Sequence, residues 1–241
     1  MKKTEYKVNQ NIQDIIINFP KVRPKLSDQY RKVLKDEYGK NREGQLGYIS
    51  KLANKLESWM HFQVSKNQLK GKVLEVGAGT LNHLSYETRY QLYDIVEPYA
   101  ELYQNKHEIL NRVNKCYSYL SDIPEDTKYD RVISIATLEH MVDLPNELRQ
   151  IKRLLKPNGV IEMAIPSEGG ALWGLSWRLT TGVSFRLRTG LSYKKIMKHE
   201  HVNTENEIIQ LIGHYFDDVE VKRFPLNHKH LSFYTYITAT L

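Results

Sequence analysis

Three groups of residues in this chain have types and spacing suited to chemistry. The first is Lys72-Val73-Leu74-Glu75-Val76-Gly77-Ala78-Gly79-Thr80-Leu81, an apolar run that breaks into two glycines one residue apart. Glycine belongs where a ligand must lie directly against backbone, because a Cβ would fill the space the ligand needs. The run before the glycines reads as a strand. Asn82-His83-Leu84 after them reads as the start of a helix, whose unpaired N–H groups would face something negative. The second group is Gln91-Leu92-Tyr93-Asp94-Ile95-Val96-Glu97, a further strand ending in an acid. Glu97 stands about twenty residues past the first glycine, the separation at which a carboxylate meets ribose hydroxyls in a doubly wound nucleotide-binding sheet. The dinucleotide fingerprint wants a small third residue, and Asn82 in that place counts against NAD. The third group is Glu139-His140, a pair with acid–base capacity, since a histidine titrates near working pH.

The elements that must position these groups follow from periodicity and punctuation. Val113 to Tyr119 and Tyr129 to Ala136 read as strands, and Asp143 to Leu155 as a helix with Leu144, Leu148, Ile151, Leu154 and Leu155 inward. Pro157-Asn158-Gly159 is a turn into a strand from Val160 to Ile165. Thr204 to His214 reads as a helix, Val219 to Phe224 as a strand, and Leu231 to Leu241 as an alternating apolar strand. At the other end, residues 1 to 26, with Pro20 and Pro24, suggest a loose arm. A helix then opens at Ser27 and should close at Gly39. A second helix carries Leu46, Ile49, Leu52, Ala53, Leu56, Trp59 and Met60 on one face and ends before Gly71.

Glu75 to Thr80, then Glu97, then Tyr129 to His140, then Leu154-Leu155-Lys156-Pro157-Asn158-Gly159-Val160 resemble, in order and spacing, the class I S-adenosylmethionine-dependent methyltransferases. The resemblance covers about residues 70 to 166. It implies an α/β fold: a doubly wound, seven-stranded Rossmann-like sheet with an antiparallel last strand. It assigns Glu75, Gly77, Ala78, Gly79 and Thr80 to the loop around the methionine part of the cofactor, and Glu97 to the ribose. Tyr99 and Ser121-Asp122-Ile123 would frame the adenine, and Ala136 would also touch the cofactor. His140 is the candidate general base, with Glu139 beside it; in the superfamily this histidine often only lines the cofactor pocket. Some relatives bind a divalent ion with a further Glu three residues ahead of the Glu-His pair. That position is Ala136 here, so no metal is expected. Methyltransferases of nucleobase amino groups resemble one another in an Asp or Asn, Pro, Pro, aromatic run at this place. Ala136-Thr137-Leu138-Glu139-His140 departs from it, which makes nucleic acid an unlikely partner.

The resemblance implies a division into an N-terminal arm and helical lid, 1–70, and a methyltransferase core, 71–241, with a substrate-side insertion at 166–203. The insertion carries Gly169, Gly170, Gly174, Gly182 and Gly190, two tryptophans and a basic set that includes Arg178, Arg186 and Arg188. It follows the fifth strand at its carboxyl end, where ligands sit in open α/β sheets. Arginine forks suit phosphate or carboxylate. Tyr30, Tyr38, Arg42, Trp59 and His61 from the lid, with Arg178, His199 and His201 from the insertion, are therefore the candidate substrate contacts. A rival reading lays Leu172 to Leu179 in a membrane interface.

Composition sets outer limits. The 241 residues carry a formal charge of +7, which favours an anionic partner without naming it. One cysteine, Cys116, forms no internal disulfide, and no apolar run approaches a membrane span, so a cytoplasmic enzyme is expected. The expected activity is transfer of the S-adenosylmethionine methyl, leaving S-adenosylhomocysteine, to a small polar, anionic acceptor of phosphate or sugar type, most simply on oxygen. Residues 27 to 61 and 188 to 204 also look similar to methyltransferases that accompany bacterial capsule and lipopolysaccharide synthesis. The alternatives are an RNA methyltransferase or RNA-binding relative, supported by charge alone, and a non-catalytic protein that keeps the cofactor fold.

Overall fold

The computed structural model describes residues 12–34, 48–67 and 70–241, with side chains from residue 56 onward in the helix that begins at Tyr48. Seven strands form one sheet: β1 (Lys72–Val76), β2 (Leu92–Val96), β3 (Lys115–Tyr117), β4 (Tyr129–Ile135), β5 (Leu155–Pro166), β6 (Asp217–Pro225) and β7 (Ser232–Thr240). Their order is β3-β2-β1-β4-β5-β7-β6. β1 to β5 are parallel neighbours, and β7 runs antiparallel to both β5 and β6. The expected antiparallel last strand is present, inserted between β5 and β6.

Alternate strand residues face opposite layers. Leu74, Val76, Val132, Ile161 and Met163 point to one core, while Val73, Ile133, Ala164 and Tyr236 point to the other. The first core is closed by α1 (Ile12–Ile16), α5 (Leu144–Leu154) and α9 (Glu205–Tyr215). α5 turns Leu144, Leu148, Ile151 and Leu154 inward at helical spacing. α9 is capped by Thr204, whose hydroxyl accepts from the Glu207 N–H while the Glu207 carboxylate accepts from the Thr204 N–H. The second core is closed by α3 (Tyr48–Val64), through Met60 and Val64, and by short turns around Leu84 and Tyr103, with α4 (His107–Leu110) at its edge.

Two expectations need correction, and the insertion takes a form that the sequence left open. The glycine pair is followed by a single 3-10 turn, His83–Ser85, and not by an α-helix, so no helix N-terminus stands behind the loop. In this segment His83 and Glu87 are buried and paired with each other. The stretch from 12 to 26 is not loose either. Ile15 is buried against the first core, and Lys21 pairs with Glu207 and donates to the Val202 carbonyl. Arg23 donates to the carbonyls of His140, His199 and Glu200. Two cations flanking the prolines thus sew the arm to the strand-end loops. Finally, the glycine-rich insertion is helical: α6 (Ala171–Trp177), a π turn (Arg178–Gly182), α7 (Val183–Thr189) and α8 (Tyr193–Glu200). Residues 28–34, helix α2, pack on it through Tyr30, which shares a small core with Phe185 and Ile196.

Candidate active site

The carboxyl ends of β1, β2 and β4 meet in one crevice. Beyond β1 the chain enters the left-handed region three times, at Gly77 (φ 76°), Gly79 (φ 50°) and Leu81 (φ 62°). The two glycines serve different ends. A Cβ on Gly77 would overlap the Thr137 side chain, whereas a Cβ on Gly79 would meet nothing within 4 Å and would project into open space. Gly77 N–H donates to the Val96 carbonyl at 2.8 Å, tying the loop to β2. Glu97, buried at the end of β2, accepts from Gly79 N–H through Oε2 at 2.8 Å and from Tyr99 N–H through Oε1 at 3.0 Å. Each of those oxygens keeps a lone pair for a further donor. Ala78 is buried, the Thr80 carbonyl accepts from Lys106 Nζ, and the Tyr99 ring is exposed beyond Glu97. Ser121 is exposed; Asp122 caps its own turn through the Tyr119 N–H; Ile123 is a core residue. Ala136, at φ 51°, turns the chain sharply out of β4.

That turn delivers Glu139 and His140 to a second cluster. The Glu139 carbonyl accepts from the N–H groups of Val202 (2.9 Å) and Asn203 (3.1 Å), and the buried Asn203 amide donates to the carbonyls of Leu138 and Met141. These bonds bring His201 against His140, ring centroids 4.9 Å apart and edge to face. His201 Nδ1 donates to Glu168 Oε2 at 3.0 Å, and Trp173 Nε1–H donates to the same oxygen at 2.6 Å. His140 Nδ1 donates to the Glu200 carbonyl at 3.0 Å. Burial, aided by the neighbouring His201, lowers the His140 pKa to about 4. Burial would lower His201 too, but the Glu168 hydrogen bond and the nearby Glu139 outweigh it and raise that imidazole. Burial raises the Glu139 carboxyl to about 7. Glu57 of α3 lies near enough to Glu139 and Tyr234 to push both upward.

A family model for the methyltransferase domain matches residues 48–212. The chain belongs to the methyltransferase-domain family. Its fold is that of solved methyltransferases. One, from Thermotoga maritima, is described as a possible histamine N-methyltransferase, with TM-score 0.58, 16% identity, and coverage of 78% of this chain and 91% of that one. Another is NodS, an N-methyltransferase from Bradyrhizobium japonicum crystallised with S-adenosylhomocysteine (TM-score 0.51, 8% identity, 81% and 89% covered). A third is phosphoethanolamine N-methyltransferase 2 of Haemonchus contortus with S-adenosylmethionine (0.53, 13%, 76% and 51%). The enzyme is an S-adenosylmethionine-dependent methyltransferase, and its residues fit that cofactor. The space in front of Gly79 is what a side chain would fill, and the Glu97 carboxylate is anchored yet not saturated.

Beneath the Gly77–Thr80 loop the methyltransferase holds a buried charge network. Arg131, fully buried in mid-strand, pairs with Glu87 and Glu162 and donates to the Val64 carbonyl. Glu87 takes His83 Nε2 at 2.9 Å, and His83 Nδ1 meets His61 Nδ1 at 3.2 Å. His61 is thus committed to the underside of the loop, stacked on His83 and Tyr86, and burial lowers its pKa to about 4. Glu75 accepts from the Tyr93 hydroxyl, and burial raises it to about 7.

The remaining expected substrate residues are scattered. Trp59 stacks on Phe224; Tyr30 accepts from the Ser192 N–H; His199 donates to the Pro24 carbonyl. Arg178 lies over Trp177 on the exposed side of the insertion, and Tyr38 and Arg42 fall outside the described residues. Of that set only His201 joins Glu139 and His140. Glu57, Glu168, Trp173, Asn203 and Tyr234 were not read from sequence. The one available signal was the polar His-Val-Asn-Thr run just before a helix cap.

Proposed function

We propose that this methyltransferase transfers its methyl group to a hydroxyl of a small, sugar-type acceptor by direct in-line displacement. The observation that carries the reading is the make-up of the acceptor end. Glu139, His140, Glu168 and His201 gather there with Glu57 and Tyr234 close by, while Arg178, Arg186 and Arg188 are exposed on the insertion. A hydroxyl is a poor nucleophile until its proton is drawn off, and a cluster of imidazoles and carboxylates supplies that help. A phosphate or carboxylate acceptor needs none and would sit badly among these acids, so the reading moves away from an anionic acceptor. His140, neutral down to about pH 4, is a weak base alone; the cluster acts together.

The Gly77–Thr80 loop would carry the methionine part of the cofactor, with Ala136 on the facing wall. Glu97 would take the ribose hydroxyls, and Tyr99 with Ser121 and Asp122 would flank the adenine. The sulfonium loses its charge on transfer, so a site poor in water favours the reaction. The likeness of residues 188–204 to capsule and lipopolysaccharide methyltransferases supports a surface-polysaccharide sugar, because that stretch supplies His201. The test is incubation with methyl-labelled cofactor and a panel of nucleotide sugars, phosphorylated metabolites and amines. Label on a sugar hydroxyl supports the reading. Label only on nitrogen or on a phosphate oxygen overturns the acceptor class.

A peripheral contact with an anionic membrane is part of the same proposal. Leu175, Leu179, Val183 and Leu187 are 53%, 63%, 47% and 82% exposed at spacings of four along α6, the π turn and α7. In a strict α-helix that spacing drifts about 40° per step, and the slower π turn takes up part of the drift. Arg178 in the π turn and Arg186 in α7 are exposed with them, and Lys194, Lys195 and Lys198 are exposed on the following α8, an arrangement suited to acyl chains below and headgroups beside. Among the described residues no helix is long and apolar enough to cross a membrane.

A further inference from the structure

We propose that Glu139, His140 and His201 bind a divalent transition-metal cation. The segment after β4 does not suggest an ion by itself, because Ala136 stands where a carboxylate would be needed. The fold supplies the missing donor from 61 residues further on. One ligand atom of each side chain lies within 4.8 Å of the other two, close enough for small rotamer adjustments to bring all three onto one ion.

Three further observations point the same way. Glu139 is 1% exposed, and its Oε2 has no hydrogen-bond partner among the described residues. An orphaned buried carboxylate oxygen carries a desolvation cost that a cation would offset. Each imidazole has one nitrogen already engaged by a typical outer partner of a metal-bound histidine. His201 Nδ1 donates to the Glu168 carboxylate and His140 Nδ1 to the Glu200 carbonyl. That fixes the ring orientation and leaves Nε2 of each as the lone-pair donor. The backbone under the site is also rigid, since the Glu139 carbonyl holds the N–H groups of Val202 and Asn203. Two imidazoles and one carboxylate suit manganese, iron or zinc better than calcium. Three protein ligands leave the rest of the coordination sphere to water or to an acceptor oxygen. The proposal rests on the acceptor-end reading only for the ion's part in the reaction: with an ion bound, Glu139, His140 and His201 would be its ligands, and help to an acceptor hydroxyl would come from the cation and not from these three as bases.

The test is calorimetric titration of the purified, EDTA-dialysed full chain with Mn2+ and separately with Zn2+, without cofactor or acceptor. One saturable site is expected. His140→Ala and His201→Ala should each weaken it at least 100-fold, and the isosteric Glu139→Gln should do so without loss of fold. Glu168→Gln, acting through His201, should cost about 10- to 100-fold. His199→Ala, whose ring is given to Pro24, should leave it unchanged. Absence of a saturable site in the wild-type chain, or a site that survives the His140→Ala/His201→Ala double substitution, overturns the proposal. Because neither acceptor nor cofactor is present, a wrong acceptor class would leave this result untouched.

Discussion

Gly77 and Gly79 look alike in sequence but predict opposite defects. Alanine at either position must adopt the left-handed conformation, which costs roughly 1–2 kcal/mol. At Gly79 nothing more is paid in the folded chain, because the new methyl meets no atom within 4 Å. For a chain of this size about 1 kcal/mol shifts Tm by about 2–4 °C, so Gly79→Ala should melt only modestly lower. At Gly77 the methyl overlaps Thr137, whose hydroxyl donates to the Ile135 carbonyl at 3.1 Å. Turning Thr137 away gives up a bond worth about 1 kcal/mol and disturbs the β4 exit, for a total near 3–4 kcal/mol. Gly77→Ala should therefore melt at least twice as far below wild type, and Thr137→Gly, which removes all three side-chain atoms within 3 Å of the new methyl, should restore part of that loss in the double variant. Cofactor affinity should fall in the other order relative to stability. Gly79→Ala places its methyl where the ligand lies and should raise the calorimetric Kd for S-adenosylmethionine at least tenfold, about 1.4 kcal/mol. Wild-type affinity in Gly79→Ala would show that the open space is not the cofactor's, and equal melting of the two variants would sink the Thr137 argument.

Five further outcomes follow from named residues. Glu97→Gln keeps one acceptor oxygen for two backbone donors and a ribose, so S-adenosylmethionine binding should weaken by roughly 1–3 kcal/mol by calorimetry. Asn203→Ala strands the Leu138 and Met141 carbonyls and frees the His201 segment; urea unfolding should show a loss of about 2–4 kcal/mol, with turnover reduced beyond any change in cofactor Kd. Glu75, raised by burial from 4.5 to about 7, stays protonated in the folded state between those values. Its contribution is whole below pH 4.5 and is lost as pH climbs through 7, so Glu75→Gln should gain on wild type across that window and no further above pH 8. His61 and His140, lowered to about 4, act in the opposite sense, with stability whole above 6.5 and lost as pH falls toward 4. Sedimentation with vesicles containing anionic lipid should pull down the wild-type chain at low salt and fail for Leu179→Ser/Leu187→Ser; equal pull-down of the two would remove the membrane contact.

The glycine loop and the acid at the end of β2 were legible because their geometry is local. A backbone that must touch a ligand needs glycine at fixed offsets from a strand, and the acid at the end of the next strand is set by sheet geometry, so Gly79 and Glu97 announce themselves within about twenty residues. Even there, one assumption failed: the turn after Gly79 does not become an α-helix, and its His83 and Glu87 join a buried network with Arg131. Nothing in the β4 run flagged Arg131, an arginine at a position buried on every side and paid for by two distant glutamates.

The acceptor half obeys a different logic. Its side chains come from α3, the β4 exit, the β5 exit and the segment before α9, and backbone bonding, not spacing along the chain, joins the last of these to Glu139. Aromatic and cationic residues near the right helices, such as Tyr30 and Arg178, therefore looked as plausible as His201, although one is packing and the other faces outward. The same bonding explains why the Glu139-His140 pair seemed to lack a third ligand. A strand-end motif read alone counts only the donors of its own segment, whereas Asn203 delivers His201 to the pair through two carbonyls of that very segment. The number of donors at this site is therefore a property of the loop pairing, and Asn203→Ala should remove cation binding and acceptor turnover together while leaving Glu97 and the glycine loop intact.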